Sequence, residues 1–376
     1  LFLDIIDKSL NPIMGKSFAM YFEKLKKMQK PNKKLDKSEA FNRNLFENLG
    51  NYIKSIQLES GAIPSNKDGS HDPWDHIESI MGLNFVKEID SSKLAFQWLI
   101  DNQNSDGSWY AKYNDIRPIE KNKPTHFGPY ISVAALHFYK SFLNKEFLEE
   151  LWPTIKSAIN FSVNLQTSNG TIPWSIDING EIEKDYLLTG SSSILKSIEC
   201  GIAIANILGD HIVIEKWIKS YEGLAYAIKN PENKFDLLKD RKRFSMDWYY
   251  PIISGCLNNK QKIFYIENIF DKFYEKDIGI KCVVEEPWIT VAETCEFIIA
   301  LIIAGRTKDA ERLFIDVINI SDEAGIPYMG WQYEENIFWP KEKPSWTSSA
   351  LIIAADSLFN FSKASDLFIA DQSTLY

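Results

Sequence analysis

One unit recurs along this chain and narrows the folds open to it. An amphipathic helix runs into a turn rich in Gly, Pro and Trp, and a more apolar helix follows whose first turn carries acids and aromatics. A hairpin of this kind cannot bury its own apolar face, so copies must stack on one another. The clearest copy is KLAFQWLIDNQNSDGSW, Lys93–Trp109, in which Leu94, Trp98 and Leu99 fall at helical spacing and Asp106-Gly107 breaks the helix ahead of Trp109. In a second copy, Leu151–Trp174, the residues Leu151, Trp152, Ile155, Ile159 and Val163 share one helix face. Gln166 there precedes the turn Asn169-Gly170 and then Trp174, as Gln103 precedes Gly107 and Trp109. Gln57–Pro64 and Glu323–Trp331 are weaker echoes.

Six second helices are expected, starting at Asp72, Thr125, Tyr186, Ser245, Glu286 and Pro344, each 41–61 residues after the last. Glu296–Ala304 is apolar around nearly its whole circumference, as a buried helix is, while the first helices are amphipathic. The expected fold is all-α: an (α/α)6 toroid of six α-hairpins, with inner and outer helix rings, over residues 46–361. An N-terminal helical and basic extension, 1–45, precedes it, and a C-terminal tail, 362–376, follows. An open helical solenoid is the duller alternative. No strand-period segment is long enough for a large sheet.

Composition sets further bounds. Of 376 residues, 45% are hydrophobic, enough for a large core. The net charge of -9 argues against a nucleic-acid partner, which needs a basic face to neutralise phosphates. Cys200, Cys256, Cys282 and Cys295 form no CxxC pair and read as reduced, buried thiols. No run of about 18–20 uninterrupted apolar residues and no signal-peptide pattern is present, which points to a cytoplasmic protein. The basic stretch Lys24–Lys34 would allow a peripheral contact with an anionic membrane, although such runs are usually solvated surface.

In such a toroid the starts of the inner helices gather at one mouth. There the sequence places Asp72, Trp74, Asp75, His76 and Glu78, then His126 and Tyr130, then Tyr186, Thr189 and Ser191. Asp247, Trp248, Tyr249 and Tyr250 follow, then Glu285, Glu286, Trp288 and Glu293, and last Trp346 and Thr347. Recurrence of acids and aromatics at matching places is the most informative functional signal. Asp75, Asp247, Asp72, Glu286 and Glu293 are the candidate catalytic acids. Trp74, His76, Glu78, His126, Tyr130, Trp248, Tyr249, Tyr250, Trp288 and Trp346 are the candidate substrate-binding residues. Ionised acids suit a helix N-terminus, and Asp72 also reads as a cap. A proton donor needs a raised pKa, from burial or from neighbouring carboxyls. No metal site and no cofactor is expected: no zinc-ligand spacing, Walker A or G-x-G-x-x-G pattern is present, and Gly190-Ser191-Ser192-Ser193 is not a nucleophile elbow.

Gln103–Trp109, QNSDGSW, resembles the QW motif of squalene–hopene and related triterpene cyclases. DPWDHIE, LLTGSSSI, MDWYYPIISG and PWITVAET resemble segments of bacterial prenyltransferase-like proteins. The resemblance implies the terpenoid cyclase/prenyltransferase toroid, with an isoprenoid or other lipid-like substrate in the ring cavity and general-acid chemistry at Asp residues. The match is partial. The class II cyclase motif Asp-x-Asp-Asp is reduced to Asp72-Pro73-Trp74-Asp75, with Trp74 where that family has its proton donor. The zinc site of protein prenyltransferases is not reproduced either, because no His follows Cys256, Cys282 or Cys295. Two readings stand beside this one. One is a carbohydrate-active six-hairpin enzyme, a glycoside hydrolase or lyase, with paired carboxylates and stacking aromatics acting on a glycan. The other is a non-catalytic ligand-binding toroid. Fold alone does not choose among them.

Overall fold

The computed structural model describes residues 43–65 and 68–374; the basic stretch Lys24–Lys34 lies outside them. Twelve α-helices are described: α1 (Arg43–Ile56), α2 (Pro73–Phe85), α3 (Ile89–Asn102), α4 (Ile131–Phe142), α5 (Lys145–Val163), α6 (Leu188–Leu208), α7 (Ile214–Lys229), α8 (Met246–Ile253), α9 (Asn259–Lys272), α10 (Val291–Ile303), α11 (Thr307–Val317) and α12 (Ser345–Phe359). The even-numbered helices pack side to side in the order α2, α4, α6, α8, α10, α12, and α12 returns to α2. The ring is therefore closed, and the chain is an (α/α)6 toroid. The odd-numbered helices form the outer layer, each packed on the inner helix that follows it or on its neighbour. The inner helices start within a few residues of the expected positions. The exceptions are α4, preceded by a 3-10 turn at Gly128–Tyr130, and α10, delayed by a short strand.

The recurring Gln-Gly turn proves to be a staple between outer helices. Gln103 Nε2 donates to Gly107 O at 3.1 Å in its own turn and to Thr154 O at 3.0 Å on α5. Gln166 repeats this with Gly170 O at 3.0 Å and Ser220 O at 2.9 Å on α7, and Gln57 with Gly61 O at 3.2 Å and Ser91 O at 3.0 Å on α3. The glycine is required twice over. Gly107 and Gly170 have φ of 91° and 90°, and a Cβ on either would stand 2.2 Å from the carbonyl oxygen of Ser157 or Gly223. Trp109 completes its turn by donating from Nε1 to Leu99 O at 3.0 Å.

The inner helices are nearly wholly buried, and their apolar side chains, with Ser and Thr interspersed, fill the ring interior. Helix α6 is long and apolar enough to cross a membrane, but 83% of that stretch is buried inside the ring, as a core helix is. At the ring's lower end the tail after α12 packs inward. Gln372 N donates to Glu199 Oε1 at 2.9 Å, and Lys196, paired with Glu199 at 2.5 Å, donates to Ala370 O at 3.0 Å. At the upper end, short ribbons connect the hairpins. One antiparallel sheet joins β1 (Ser70–His71), β2 (Lys112–Asn114) and β3 (Arg117–Glu120). Two-stranded ribbons pair β4 (Lys123–Pro124) with β5 (Ser175–Ile176) and β6 (Tyr274–Glu275) with β7 (Gly279–Ile280), and a second three-stranded sheet joins β8 (Trp288–Thr290), β9 (Gly330–Gln332) and β10 (Ile337–Phe338). These ribbons frame the end of the ring where the inner helices begin.

Candidate active site

The acids at this end form two tiers, set by helix geometry. On α2, Asp72 is the N-cap, Asp75 lies in the first turn and Glu78 one turn deeper. On α10, Glu293 lies in the first turn and Glu296 one turn deeper. Positions three apart share a helix face, so each deeper acid stands beneath an upper one. Helix α8 adds Asp247 in its first turn, opposite α2 in the ring. Trp74 bridges the opening: its ring centroid lies 4.8 Å from that of His126, 5.5 Å from Tyr130 and 5.8 Å from Tyr250 on the far side.

In the upper tier, Asp72 accepts from the Asp75 backbone N–H at 2.8 Å. Burial raises its pKa, and the N–H groups of Asp75 and Trp74 oppose the rise. Asp75 is pushed well above the usual carboxylate range, first by burial and then by the charges of Asp72 and Glu78. It is walled in by protein yet remains half-buried rather than buried, as a cavity-lining side chain does. Asp247 is 5% exposed and also lies well above its usual range, from burial and the nearby Asp236 charge. One of its oxygens accepts the Thr189 hydroxyl, and the other, Oδ2, has no hydrogen-bond partner. Glu293 is 3% exposed and raised by burial, with Thr290 and Cys282 beside it and Oε2 without a partner.

The lower tier holds protons too. Tyr130 donates to Glu78 at 2.5 Å, and burial lifts Glu78 to about 7 despite this bond. Glu296 receives the hydroxyls of both Tyr249 and Tyr250, the latter at 2.5 Å, and burial with the Glu293 charge lifts it to about 8. Beside them lies a hollow of about 30 Å³, lined by Glu78, Tyr130, Tyr250 and Glu296 together with Lys196 and Phe368. That is room for about two waters.

The structure distributes the remaining candidates unevenly. His126 joins the wall of the mouth, neutral because burial drives it to about 3, with Nδ1 unpartnered. His76 instead turns outward: Nδ1 accepts from Ile63 N at 3.1 Å and Nε2 bonds Ala95 O at 3.0 Å, fixing α2 to its surroundings. Trp248 donates to Lys242 O at 2.9 Å and lies under Lys272 beside Tyr265, on the outer side of α8. Trp288 belongs to β8, donates to Trp339 O at 2.6 Å, and packs with Phe244, Cys282, Val283 and Met329 in a small apolar cluster that Trp346 joins at its edge. Glu286 is half-buried in the turn ahead of β8, five residues before α10 begins. Three residues outside the candidate set matter as well. Glu296 falls in a stretch that reads as apolar, although its spacing of three from Glu293 repeats that of Glu78 from Asp75. Asp236 and Arg241 sit in a charged loop just ahead of α8, and the charges of both act on Asp247. Among the described residues, no group of three or more His, Cys, Asp or Glu is arranged to hold a metal ion.

Comparison with known proteins gives a consistent picture. No protein-family model matches the chain. Its fold is that of a glycosidase solved in complex with glucose, at a TM-score of 0.68 and 13% identity, covering 86% of this chain and 99% of the other. A D-mannose isomerase superposes at 0.61 with 10% identity, over 85% of this chain and 98% of the other. In sequence, the MMP endo-(1,4)-3-O-methyl-alpha-D-mannosidase of Mycolicibacterium hassiacum is 33% identical over 316 residues, 84% of this chain and 86% of the relative. These findings overturn the kinship with terpenoid cyclases and prenyltransferases expected from the QW-like motif, and the isoprenoid substrate with it. The physical reason is visible in the staple: Gln103 and Trp109 fasten outer helices, a task any such ring shares, and touch no chemistry. The carbohydrate-active alternative is the one that agrees with these relatives. The chain belongs to the family of the MMP endo-(1,4)-3-O-methyl-alpha-D-mannosidase.

Proposed function

We propose that this protein hydrolyses internal α-glycosidic bonds of a 3-O-methylated mannoside chain bound across the mouth of the ring. The observation that carries the reading is a set of buried acids whose oxygens lack partners at the end of the ring where aromatics gather: Asp247 Oδ2 on α8 and Glu293 Oε2 on α10, with the half-buried Asp75 and Trp74 on α2. Burying an unpaired carboxyl group costs stability and is retained where a ligand or a reaction uses it. The aromatic faces of Trp74 and its neighbours suit the apolar faces of sugar rings, and the unpartnered Ser191 and Thr347 hydroxyls and His126 Nδ1 suit sugar hydroxyls.

Glycoside hydrolysis needs one carboxyl group that keeps a proton for the leaving oxygen and a second that acts from the other side of the sugar. Asp75 fits the first role. Asp72, stabilised by backbone N–H groups, ionises first, and its charge holds the proton on Asp75. The second role falls to the opposite rim, where Asp247 on α8 and Glu293 on α10 each present a free oxygen. The test is hydrolysis of α-1,4-linked 3-O-methylmannose oligosaccharides, with chain length of the products followed by mass spectrometry. Asp75→Asn is expected to lose about 10²–10⁴-fold in rate, the usual worth of a positioned proton donor. Either Asp247→Asn or Glu293→Gln is expected to lose a comparable factor. Full activity in all three variants, with circular dichroism unchanged, would sink the assignment.

A further inference from the structure

Beside Asp247, on the rim between α6 and α8, a buried cation is left only partly satisfied. Arg241 is 3% exposed, and its guanidinium carbon stands 4.5 Å above the ring of Trp174. Its Nε lies 3.6 Å from Asp236 Oδ1, too far for a hydrogen bond. Arg241 Nε, Arg241 Nη2 and Asp236 Oδ1 are all without hydrogen-bond partners. A purely structural pair at this burial would be expected to close to direct contact, since each unpaired N–H carries a desolvation cost. Here the gap is held open. Asp236 is anchored by its backbone N–H to Tyr186 O at 2.8 Å, and Arg241 by its stack on Trp174 and by its carbonyl, which accepts from Phe244 N at 2.8 Å.

We infer that Arg241, Asp236 and Trp174 form a glycosyl-binding subsite next to Asp247, which takes a neutral sugar unit through two adjacent hydroxyls. The inference deepens the glycosidase reading above and rests on it. A hydroxyl group accepts and donates at once, so one sugar oxygen can accept from the guanidinium and donate to the Asp236 carboxylate. The planar fork of Arg presents a second N–H to the neighbouring hydroxyl. Trp174, half-buried at the end of the second Gln-Gly turn, supplies the apolar surface beside them.

Charge decides between a neutral and an anionic ligand. Asp185, Asp240 and Asp236 act on this corner against Arg241, with burial lifting Asp236 to about 7 and holding Asp247 well above its usual range. Asp185 is held by the N–H groups of Tyr186 and Leu237 at 3.0 Å each, and His126 facing it is neutral. A carboxylate or sulfate on the substrate would meet excess negative charge, whereas a diol would not.

The test uses full-length protein with 3-O-methylmannose oligosaccharides, the same oligosaccharides lacking hydroxyls singly on one terminal unit, and uronate-bearing oligosaccharides. Arg241→Lys keeps the charge and loses the fork. Asp236→Asn keeps the size and loses the acceptor strength. Both are expected to weaken binding of the parent oligosaccharide at least tenfold by calorimetry, and to discriminate less than the native protein between parent and deoxy ligands. Native discrimination retained in both variants, or tighter binding of the uronate than of the neutral chain, would overturn the subsite. A native protein that cleaves and binds none of the neutral oligosaccharides would instead overturn the glycosidase reading itself.

Discussion

Glu296 offers a stability test that needs no substrate. Its carboxyl group titrates near 4.5 in the unfolded chain and at about 8 in the ring. Between those values the native state holds a proton that the unfolded state has released. Unfolding is then favoured by rising pH, at about 1.4 kcal/mol per pH unit. From pH 6.5 to 8 the loss integrates to about 1.5 kcal/mol, because the slope flattens as the native group begins to ionise. Glu296→Gln removes this titration and keeps the shape. Its fixed cost or gain, from new bonds to Tyr249 and Tyr250, does not vary with pH in this range.

The difference between the two proteins isolates the group together with its charge coupling to Glu293 and Glu78. His71, His76, His126 and His137 lie at about 3 to 4 when folded, against 6.5 unfolded. They make stability rise with pH up to about 6.5 in both proteins, and so cancel. Urea unfolding at half-unit steps from pH 6.5 to 8 should show Glu296→Gln gaining on the native protein by about 1.5 kcal/mol across the range. A difference that stays constant would mean that Glu296 is already ionised at pH 6.5. The lower tier would then be solvated, and the reasoning about buried protons wrong.

Two further outcomes follow from the same geometry. Gly107→Ala places a methyl group 2.2 Å from Ser157 O at a φ of 91°, and should cost more than about 2 kcal/mol in a urea titration; a neutral result would mean that the staple turn is not needed to hold α3 to α5. Asp72→Asn keeps a competent N-cap for the Asp75 N–H but removes the charge that raises Asp75. The alkaline limb of kcat/KM should therefore move to lower pH, and an unmoved limb would exclude Asp75 as the proton donor.

The ring itself was legible in the sequence because its logic is local. Apolar faces at spacings of three and four, Gln followed by Gly four residues on, and acids at helix starts each declare themselves within about twenty residues. The same locality misdirected the functional reading. Gln103 and Trp109 look like a family signature, but their partners, Thr154 O and Leu99 O, belong to the scaffold. His76 sits at a helix start like its neighbours, and only the tertiary contacts with Ile63 and Ala95 reveal that it faces away from the mouth. Glu296 was hidden by the apolar residues around it, since hydropathy averages over a face and one buried acid scarcely changes the average. Arg241 and Asp236 lie close to Asp247 in sequence, but in an irregular loop no periodicity tells which side chains turn toward the helix start.

The acids of α2 also show that depth alone does not order proton affinity. Asp72 is 9% exposed and Asp75 keeps more surface, yet Asp75 holds its proton more tightly. Solvent access would order them the other way. The difference lies partly in the backbone: Asp72, at the cap, receives N–H groups directed at its carboxylate, while Asp75 is raised first by burial and then by the charge of Asp72. Helix α10 has no such pair, since its cap is Thr290, and Glu293 is raised by burial without an ionised neighbour at the cap. One rim therefore carries an acid held protonated by burial and by a charge three residues away. The other carries an acid whose protonation depends on how dry the mouth is.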